Sequence, residues 1–562
     1  MKLTKLHSRH YSSFLLNFNF NKAYLLFMLL YVCSSGFAQK DKKAQDVINI
    51  TSGFKPKILP SEKIQFYASI PLKDTTPFSF SYQSAYQIAK SNLKSFLIKP
   101  LAISLDSLNG NGMSGFSKLG YGNLQNPFAQ LAFQSIKDNI RFTAWADHIS
   151  SKGKLPDQQY SNSSLGFLLQ NSISSFEKVT LYGGYTFDAY RQYGYDHRSF
   201  SYSRKELLQQ YKRGYSGISY YRFLGPKKNI LITPTVDLGF LSSYNAAQEI
   251  SVNVKMPFTY LWRKDLSFST TPVFELAGFR NNLSQSKTYY QLQLPLQVNY
   301  TNKNLKLTGG VVGVKSAQWT IAPLFDLSYG INDTRLNLLA SIKNDFVINS
   351  YQSLRSHNPF ILSPDSLSFG RKSTYSTGIN WSNESGFQTS FLVGFAKFTG
   401  LPLFINSGVS GKDLRVMLES SLTAIQLQST VDYVLSEQFK FASNANVYFF
   451  QSQKVYDKPY GFIPVELHLE LNYKPISSLS VSLHSFIWKG AMARTEPLLN
   501  KKLDNVADIN LAVDYKLNKK WGFWIDLNNI ANMHYQRWNQ YQAYGFNFLA
   551  GLRYSFLKSS KN

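Results

Sequence analysis

The sequence predicts an all-β transmembrane protein, an antiparallel β-barrel of about 22 strands (range about 18 to 22) with short periplasmic turns and longer outer loops. Three observations predict it: apolar and polar residues alternate over strand-length stretches, short turns alternate with longer connections, and the chain begins with a secretory signal. The composition agrees, because only 17% of the 562 residues are charged whereas 15% are aromatic. Soluble domains usually carry about 25% charged residues.

The beginning of the chain, residues 1–38, has the pattern of a cleaved signal peptide. Residues 1–22 carry basic and no acidic side chains, an apolar run extends from Ala23 to Cys33, and small residues precede the expected cleavage after Ala38. The run is too short for a helix that spans a bilayer, which needs about 20 residues. Lipoprotein processing at Cys33 is the alternative, but a valine stands where that processing requires a small residue.

Period-two alternation is the evidence for strands. Residues 290–300, 465–473 and 509–517 alternate apolar and polar side chains over the length of a transmembrane β-strand. The last such stretch places one set of side chains on one face: Phe546, Phe548, Ala550, Leu552, Tyr554 and Phe556. A soluble sandwich or propeller would also alternate, but the aromatic content and the signal peptide favour the membrane barrel.

Turns and longer connections give the strand count. Short turns are expected near residues 137–139, 174–175, 225–227, 263–265, 301–304, 332–333, 383–385, 436–437, 475–477 and 518–520. Longer connections are expected at 150–162, 190–210, 346–371, 399–412, 451–463, 490–504 and 530–543. Alternation of the two kinds implies about 22 strands. Residues 413–435 exceed the length of one strand and predict a bulge.

The domain organisation follows from these boundaries. A signal peptide occupies 1–38, and an N-terminal segment at 39–112 lies in the periplasm or in the lumen. The transmembrane barrel occupies 113–556, and a C-terminal tail occupies 557–562.

The closing strand carries a family resemblance. Gly545, Phe548, Gly551, Tyr554 and Phe556 resemble the closing strand of TonB-dependent receptor barrels, including the terminal aromatic residue that the barrel-assembly machinery reads as a sorting signal. Residues 118–123 resemble the opening strand of such barrels. The resemblance implies a receptor-like barrel in the outer membrane of a Gram-negative cell. The barrel-assembly machinery and outer-membrane lipids would be its partners.

The chain departs from that family ahead of the barrel. TonB-dependent receptors carry a plug domain of more than a hundred residues, whereas only 39–112 precede the first predicted strand. This segment is therefore expected to be a reduced plug or a flexible periplasmic tail. Within it, one short run resembles the box that such receptors present to TonB, with a periplasmic strand or a plain linker as the alternative: Asp46, Val47, Ile48, Asn49, Ile50 and Thr51.

No catalytic, cofactor-binding or metal-binding site is expected from the sequence. Glu466, His468 and Glu470 share one strand face, and His484 is expected on the neighbouring strand. A metal site is one interpretation of these four residues, but the polar wall of a hydrated lumen is the favoured one. The formal net charge of +27, to which the signal peptide contributes four basic residues, suits lipid phosphates or anionic solutes. Nucleic acid is not an expected partner of an envelope protein.

The predicted function is therefore solute uptake or passage across the cell outer membrane, without enzymatic activity. TonB or other envelope proteins are the expected partners. The alternative is a non-transporting scaffold or assembly partner in an outer-membrane protein complex. A lumen crossed by the segments 346–371 and 39–112 would favour the scaffold, whereas a continuous water path would favour transport.

Overall fold

The computed structural model describes residues 112–282, 284–331, 335–495 and 499–559. These residues form a closed antiparallel barrel of 22 strands, as the sequence predicts. The strands β1 to β22, in chain order, are Gly112–Gly122, Phe128–Lys137, Ile140–Ser151, Tyr160–Ser174, Glu177–Arg191, Leu208–Leu224, Ile230–Ile232 with Thr235–Ser243, Gln248–Lys255 with Phe258–Leu261, Leu266–Thr270 with Val273–Asn281, Ser284–Thr301, Leu305–Lys315, Trp319–Gly330, Leu336–Asn349, Ser368–Ser382, Phe387–Thr399, Leu422–Val434, Phe439–Gln453, Val465–Ile476, Leu479–Lys489, Val506–Lys516, Trp521–Asn528 and Asn547–Ser559.

The barrel closes where β1 pairs with β22. The register runs without interruption from Gly112 opposite Ser559 to Gly122 opposite Leu549. The last strand therefore continues three residues beyond Phe556, where the sequence places its end. Because every strand is paired on both sides, the wall has no free edge to expose to lipid.

All the long loops lie at one end of the barrel, whereas the connections at the opposite end are all short turns. Nine of the predicted short turns join an even-numbered strand to the next odd-numbered strand, within one or two residues of their expected positions. The tenth, at 332–333, lies outside the described residues. The turn at Asp138 is typical, because its φ of 52° is the left-handed conformation that tight hairpins require. Outer-membrane barrels place such turns in the periplasm.

The two faces of the wall differ as the alternation predicts. Along β22, Phe548, Tyr554 and Phe556 are exposed on the membrane face, whereas Leu549 is buried on the other face. Aromatic side chains on the membrane face form a girdle near the short-turn end, as expected for an interfacial belt. Its members are Phe176, Trp262, Phe268, Tyr329, Trp381, Tyr473, Trp521 and Tyr554.

A row of prolines interrupts three neighbouring strands. β7, β8 and β9 each break at a proline, because the ring has no N–H to donate to the strand ladder. The proline carbonyls still accept hydrogen bonds from the adjacent strand. These bonds run from the Tyr220 amide to Pro234 (3.0 Å), from Thr233 to Pro257 (3.1 Å) and from Met256 to Pro272 (2.9 Å). This row of prolines was not predicted from the sequence.

The expectation of one bulged strand over 413–435 is wrong. Asp413–Glu419 pairs with Leu401–Ser407 as a hairpin within the loop, and β16 begins only at Leu422. The loop therefore spans 400–421 rather than 399–412. Gly408 and Gly411, at φ of 71° and 69°, provide the left-handed positions of this hairpin turn. Alternation alone cannot separate a hairpin strand in a loop from a strand in the wall.

Two short helices also lie in long loops, α1 at Arg204–Leu207 and α2 at Tyr351–His357. In the described part of the chain, no helix has the length and apolar character needed to cross a membrane.

Candidate gate at the long-loop end

The long loops pack together over one end of the barrel, and we name this assembly the cap. It comprises the described residues of 192–207, 350–367, 400–421, 454–464, 490–505 and 529–546. Its centre is aromatic: the rings of Phe360 and Tyr541 stack with centroids 3.7 Å apart, and Trp538 meets Phe404 edge to face at 5.0 Å. These side chains are buried in one cluster with Tyr211 and Phe279 of the wall. The cap is therefore a packed layer.

Backbone hydrogen bonds connect four of these loops to one another. Leu414 of the hairpin in 400–421 forms a parallel bridge with Ile361. On the other side, the Phe404 amide donates to the Tyr460 carbonyl (3.2 Å). The chain then bonds onward, since the Gly461 amide donates to the carbonyl of Met492 (3.0 Å). Met492–Thr495 and Leu499–Lys502 form the last hairpin of the layer.

Glu419 connects two loops through its carboxylate. Its side chain is fully buried, and four backbone amides donate to it: Ser421 (3.0 Å), Lys454 (3.1 Å), Val455 (3.1 Å) and Tyr456 (2.9 Å). Burial by itself would raise the pKa of the Glu419 carboxyl, but these amides outweigh it and hold the pKa below its usual value. Hydrogen bonds to a charged acceptor are the strong kind in proteins. The carboxylate thus fixes 400–421 against 454–464.

Within the cap, residues 350–367 contact the barrel wall, and we name this segment the strap. At the start of α2, the Glu249 carboxylate of β8 accepts a hydrogen bond from the Tyr351 amide (2.6 Å). Further along, the Arg355 guanidinium pairs with the Asp188 carboxylate of β5 and lies 3.9 Å from the centroid of the Tyr211 ring. Charged contacts from two separate strands therefore hold the strap down.

A third contact extends the attachment of the strap beyond its helix. The Tyr190 hydroxyl of β5 donates to the Pro359 carbonyl (2.6 Å). The Tyr190 ring also meets the Phe360 ring edge to face, with centroids 5.5 Å apart. The strap is therefore attached to the wall at the long-loop end of the barrel, both through its helix and beyond it.

The predicted lumen residues are placed on β18 and β19. Glu470 lies directly opposite His484 in the register, so the structure brings these two together. His468 lies opposite Phe486, with ring centroids 6.2 Å apart, and Glu466 lies opposite Trp488, nearer the cap. In the described ranges no group of three or more potential ligands is close enough to hold a metal ion. The assignment of Glu466, His468, Glu470 and His484 to a polar lumen wall stays a prediction, and we name these four residues the lumen strip.

The predicted sorting strand is β22, and Gly545 lies just before it in the loop. Gly551 lies opposite Gly120 at the closing seam, where a Cβ atom would overlap the Leu119 carbonyl oxygen. Phe548, Tyr554 and Phe556 face the membrane, as described above. The TonB-box-like run from Asp46 to Thr51 lies outside the described residues, as does the signal peptide.

An ion cluster that was not predicted from the sequence lies at the closing seam. The Asp514 carboxylate of β20 accepts from the Lys118 ammonium of β1 (3.1 Å) and from the Arg553 guanidinium of β22 (3.1 Å). The register that brings them together depends on closure between the first and last strands, which are separated by most of the chain. No local pattern in the sequence indicates that pairing.

The loop before β22 is shaped by asparagines that the analysis also missed. Asn529 has a φ of 47°, and its side-chain amide donates to the carbonyls of Met533 (2.8 Å) and Tyr544 (2.9 Å). The Asn532 side chain accepts from the Phe546 amide (2.8 Å). Asparagines tolerate left-handed backbone and bond to nearby main chain, so the repeated asparagines of 528–532 were a usable signal for an ordered loop.

Comparison with known proteins places this fold. No family model matches the chain, and no curated protein matches it by sequence. Solved structures do match. The FrpB iron transporter from Neisseria meningitidis (F3-3 variant) aligns with a TM-score of 0.65 at 10% identity, over 80% of this chain and 82% of that chain.

Two further receptors give similar figures. The siderophore receptor PirA from Acinetobacter baumannii aligns with a TM-score of 0.60 at 9% identity, over 80% of this chain and 81% of that chain. A third match is a mutant ferric enterobactin receptor, PfeA from Pseudomonas aeruginosa, in complex with enterobactin. It aligns with a TM-score of 0.60 at 11% identity, over 80% of this chain and 81% of that chain. Identities this low compare the fold alone. The described part of the chain therefore has the fold of a TonB-dependent receptor barrel, as the resemblance of its closing strand predicts.

Proposed function

We propose that the protein mediates solute uptake or passage across the outer membrane and that the cap with its strap is the gate. The observation that carries this proposal is the attachment of the strap to the wall through Arg355 and Asp188 and through Glu249. Charged contacts of this kind hold a closed arrangement and can be exchanged for contacts with a solute. The neighbouring folds belong to proteins named as iron transporters and siderophore receptors, so ferric chelates are the first solutes to test.

The N-terminal segment completes the proposal. Residues 39–112 act as a reduced plug or a periplasmic arm, and Asp46, Val47, Ile48, Asn49, Ile50 and Thr51 engage TonB. The signal peptide 1–38 directs the chain to the envelope, and the barrel-assembly machinery inserts it by its closing strand. Support comes from the position of β1, whose first residue Gly112 lies at the short-turn end of the barrel.

Single-channel conductance in planar bilayers tests the proposal. The mature protein is compared with a deletion of 39–111 and with Arg355→Gln, alone and combined. A closed full-length protein and a conducting combined variant would support a gated passage. If every variant remains closed while the barrel is folded, passage is ruled out.

The second candidate is a sealed scaffold that holds other envelope proteins. The packing of the strap against the wall favours it, because a scaffold has no need to open. Arg355→Gln separates the two candidates: a scaffold would lose a partner or its cap packing without any gain in conductance.

A further inference from the structure

The short-turn end of the barrel carries an uneven distribution of charge. Three consecutive turns, at 225–229, 262–265 and 302–304, hold Lys227, Lys228, Arg263, Lys264 and Lys303, and all five side chains are exposed. One acidic residue, Asp265, lies among them and is half-buried. We name these five cations the basic arc.

The turns of the basic arc are neighbours in space. The Leu261 amide donates to the Asn229 carbonyl (2.7 Å), and the Thr301 amide donates to the Asp265 carbonyl (2.7 Å). The positive charges therefore form one continuous patch along the rim of β6 to β11. Further round the barrel, the turns at 383–386 and 435–438 carry a glutamate each and no basic residue. A second and smaller basic turn lies near the closing seam, at 517–520, where Lys519 and Lys520 are exposed. The basic arc is the larger of these two groups.

Contacts with aromatic rings show where the cations of the basic arc lie relative to the membrane. The Lys228 ammonium lies 3.1 Å from the centroid of the Phe176 ring, and the Arg263 guanidinium lies 5.3 Å from that of Trp262. Both rings belong to the girdle on the membrane face, and Trp262 also packs against Phe268 with centroids 5.9 Å apart. Girdle aromatics lie at the depth of lipid headgroups. The cations that stack on them therefore lie at the membrane face of the rim.

We infer that the basic arc binds the phosphate headgroups of anionic phospholipids in the periplasmic leaflet. Clustered Lys and Arg side chains at a bilayer surface attract anionic lipid. Asp265 reduces this attraction only in part, because its carboxylate lies 3.6 Å from Arg263 alone. The membrane-facing position favours lipid over an acidic periplasmic protein. The inference is independent of transport, since a sealed scaffold would need the same belt.

Native mass spectrometry of the full mature chain in neutral detergent tests the inference. Phosphatidylglycerol and phosphatidylcholine are titrated in parallel, and the retained lipid adducts are counted. The unaltered protein is expected to prefer phosphatidylglycerol by at least about tenfold. The variant with Lys227, Lys228, Arg263 and Lys264 all changed to Gln is expected to fall to about twofold or less.

Two controls decide whether charge at this place is the cause. The matched variant changes Lys152, Lys154, Lys501 and Lys502 to Gln, which removes the same charge from exposed loop positions at the other end. It should keep the preference, as should Lys227→Arg with Lys228→Arg and Lys264→Arg. An equal loss in the loop variant, or no loss in the arc variant, overturns the inference. Displacement by equimolar inorganic phosphate would also overturn it, since the site would then bind free anions. Retention of the barrel in each variant is checked by its heat-dependent gel mobility.

Discussion

The guanidinium of Arg355 pairs with the carboxylate of Asp188 while it stacks on Tyr211, and both ionic side chains are largely buried. Removal of one partner from a buried pair leaves an unpaired charge, at a cost of about 3 kcal/mol. We therefore expect Arg355→Gln to release the strap and to increase single-channel conductance in the form that lacks 39–111. Arg415→Gln is the control, because that side chain is exposed at the same end. Equal conductance in the two variants would contradict a latch role.

A second prediction concerns Glu419 and pH. Its folded-state pKa is lowered, so its stabilising contribution is fully present above the unfolded pKa of about 4.3. That contribution is lost as the pH falls through the folded value. We expect loops 400–421 and 454–464 to become sensitive to an acid-active protease such as pepsin below about pH 4. Glu419→Gln should lower the free energy that holds these two loops together by about 2 kcal/mol. The loops should then be sensitive to trypsin at pH 7. If the Glu419→Gln variant resists trypsin at pH 7, the carboxylate does not hold the two loops together.

A third prediction concerns closure of the barrel. A Cβ at Gly551 would overlap the backbone of Leu119 and Gly120, whereas a Cβ at Gly309 has no atom within 4 Å. Gly551→Ala should therefore reduce the fraction that folds in lipid vesicles, since backbone cannot move aside as a flexible side chain can. Gly309→Ala should fold normally. Heat-dependent gel mobility reports both, and equal folded fractions would refute the steric argument.

The ion cluster at the seam gives a fourth prediction. The Lys118 and Asp514 side chains are 8% and 13% exposed, whereas those of Lys343 and Asp326 are 41% and 54% exposed. Asp514→Asn should lower the free energy of unfolding by about 3 kcal/mol because two cations lose their partner. Asp326→Asn should change it by about 0.5 kcal/mol or less. Urea titration of the refolded barrels measures the difference, and similar midpoint shifts would contradict the burial argument.

The wall of the barrel was predictable because its information is local. Alternation of apolar and polar residues predicts each strand. A few polar residues predict each periplasmic turn, as at Asp138. The charged contacts were not predictable in the same way. Asp188 and Arg355 are far apart in sequence, and no pattern near either residue indicates the other. The strand at Asp413–Glu419 shows a further limit, since its alternation serves the cap rather than the wall.

In the lumen strip, one pair of neighbours was predictable from the sequence and one grouping was not. Alternation placed Glu470 and His484 on the lumen face, and the pairing of β18 with β19 brought them opposite each other. The same reasoning grouped Glu466 with them, but the rise along a strand separates Glu466 from Glu470 by four residues, or about 13 Å. Side chains on the same face of a strand can therefore be too far apart along the strand to form one site.

The row of prolines on β7, β8 and β9 bears on how the barrel assembles. A strand that paired two residues out of step would bring its proline opposite an intact part of the neighbouring ladder and would lose a further hydrogen bond there. In the native register the interruptions coincide, because Thr233 and Met256, which each precede a proline, donate to the carbonyls of Pro257 and Pro272. We therefore expect the prolines to destabilise mispaired intermediates relative to the native register. Their replacement should slow productive insertion by admitting slipped hairpins, even where the finished barrel is no less stable.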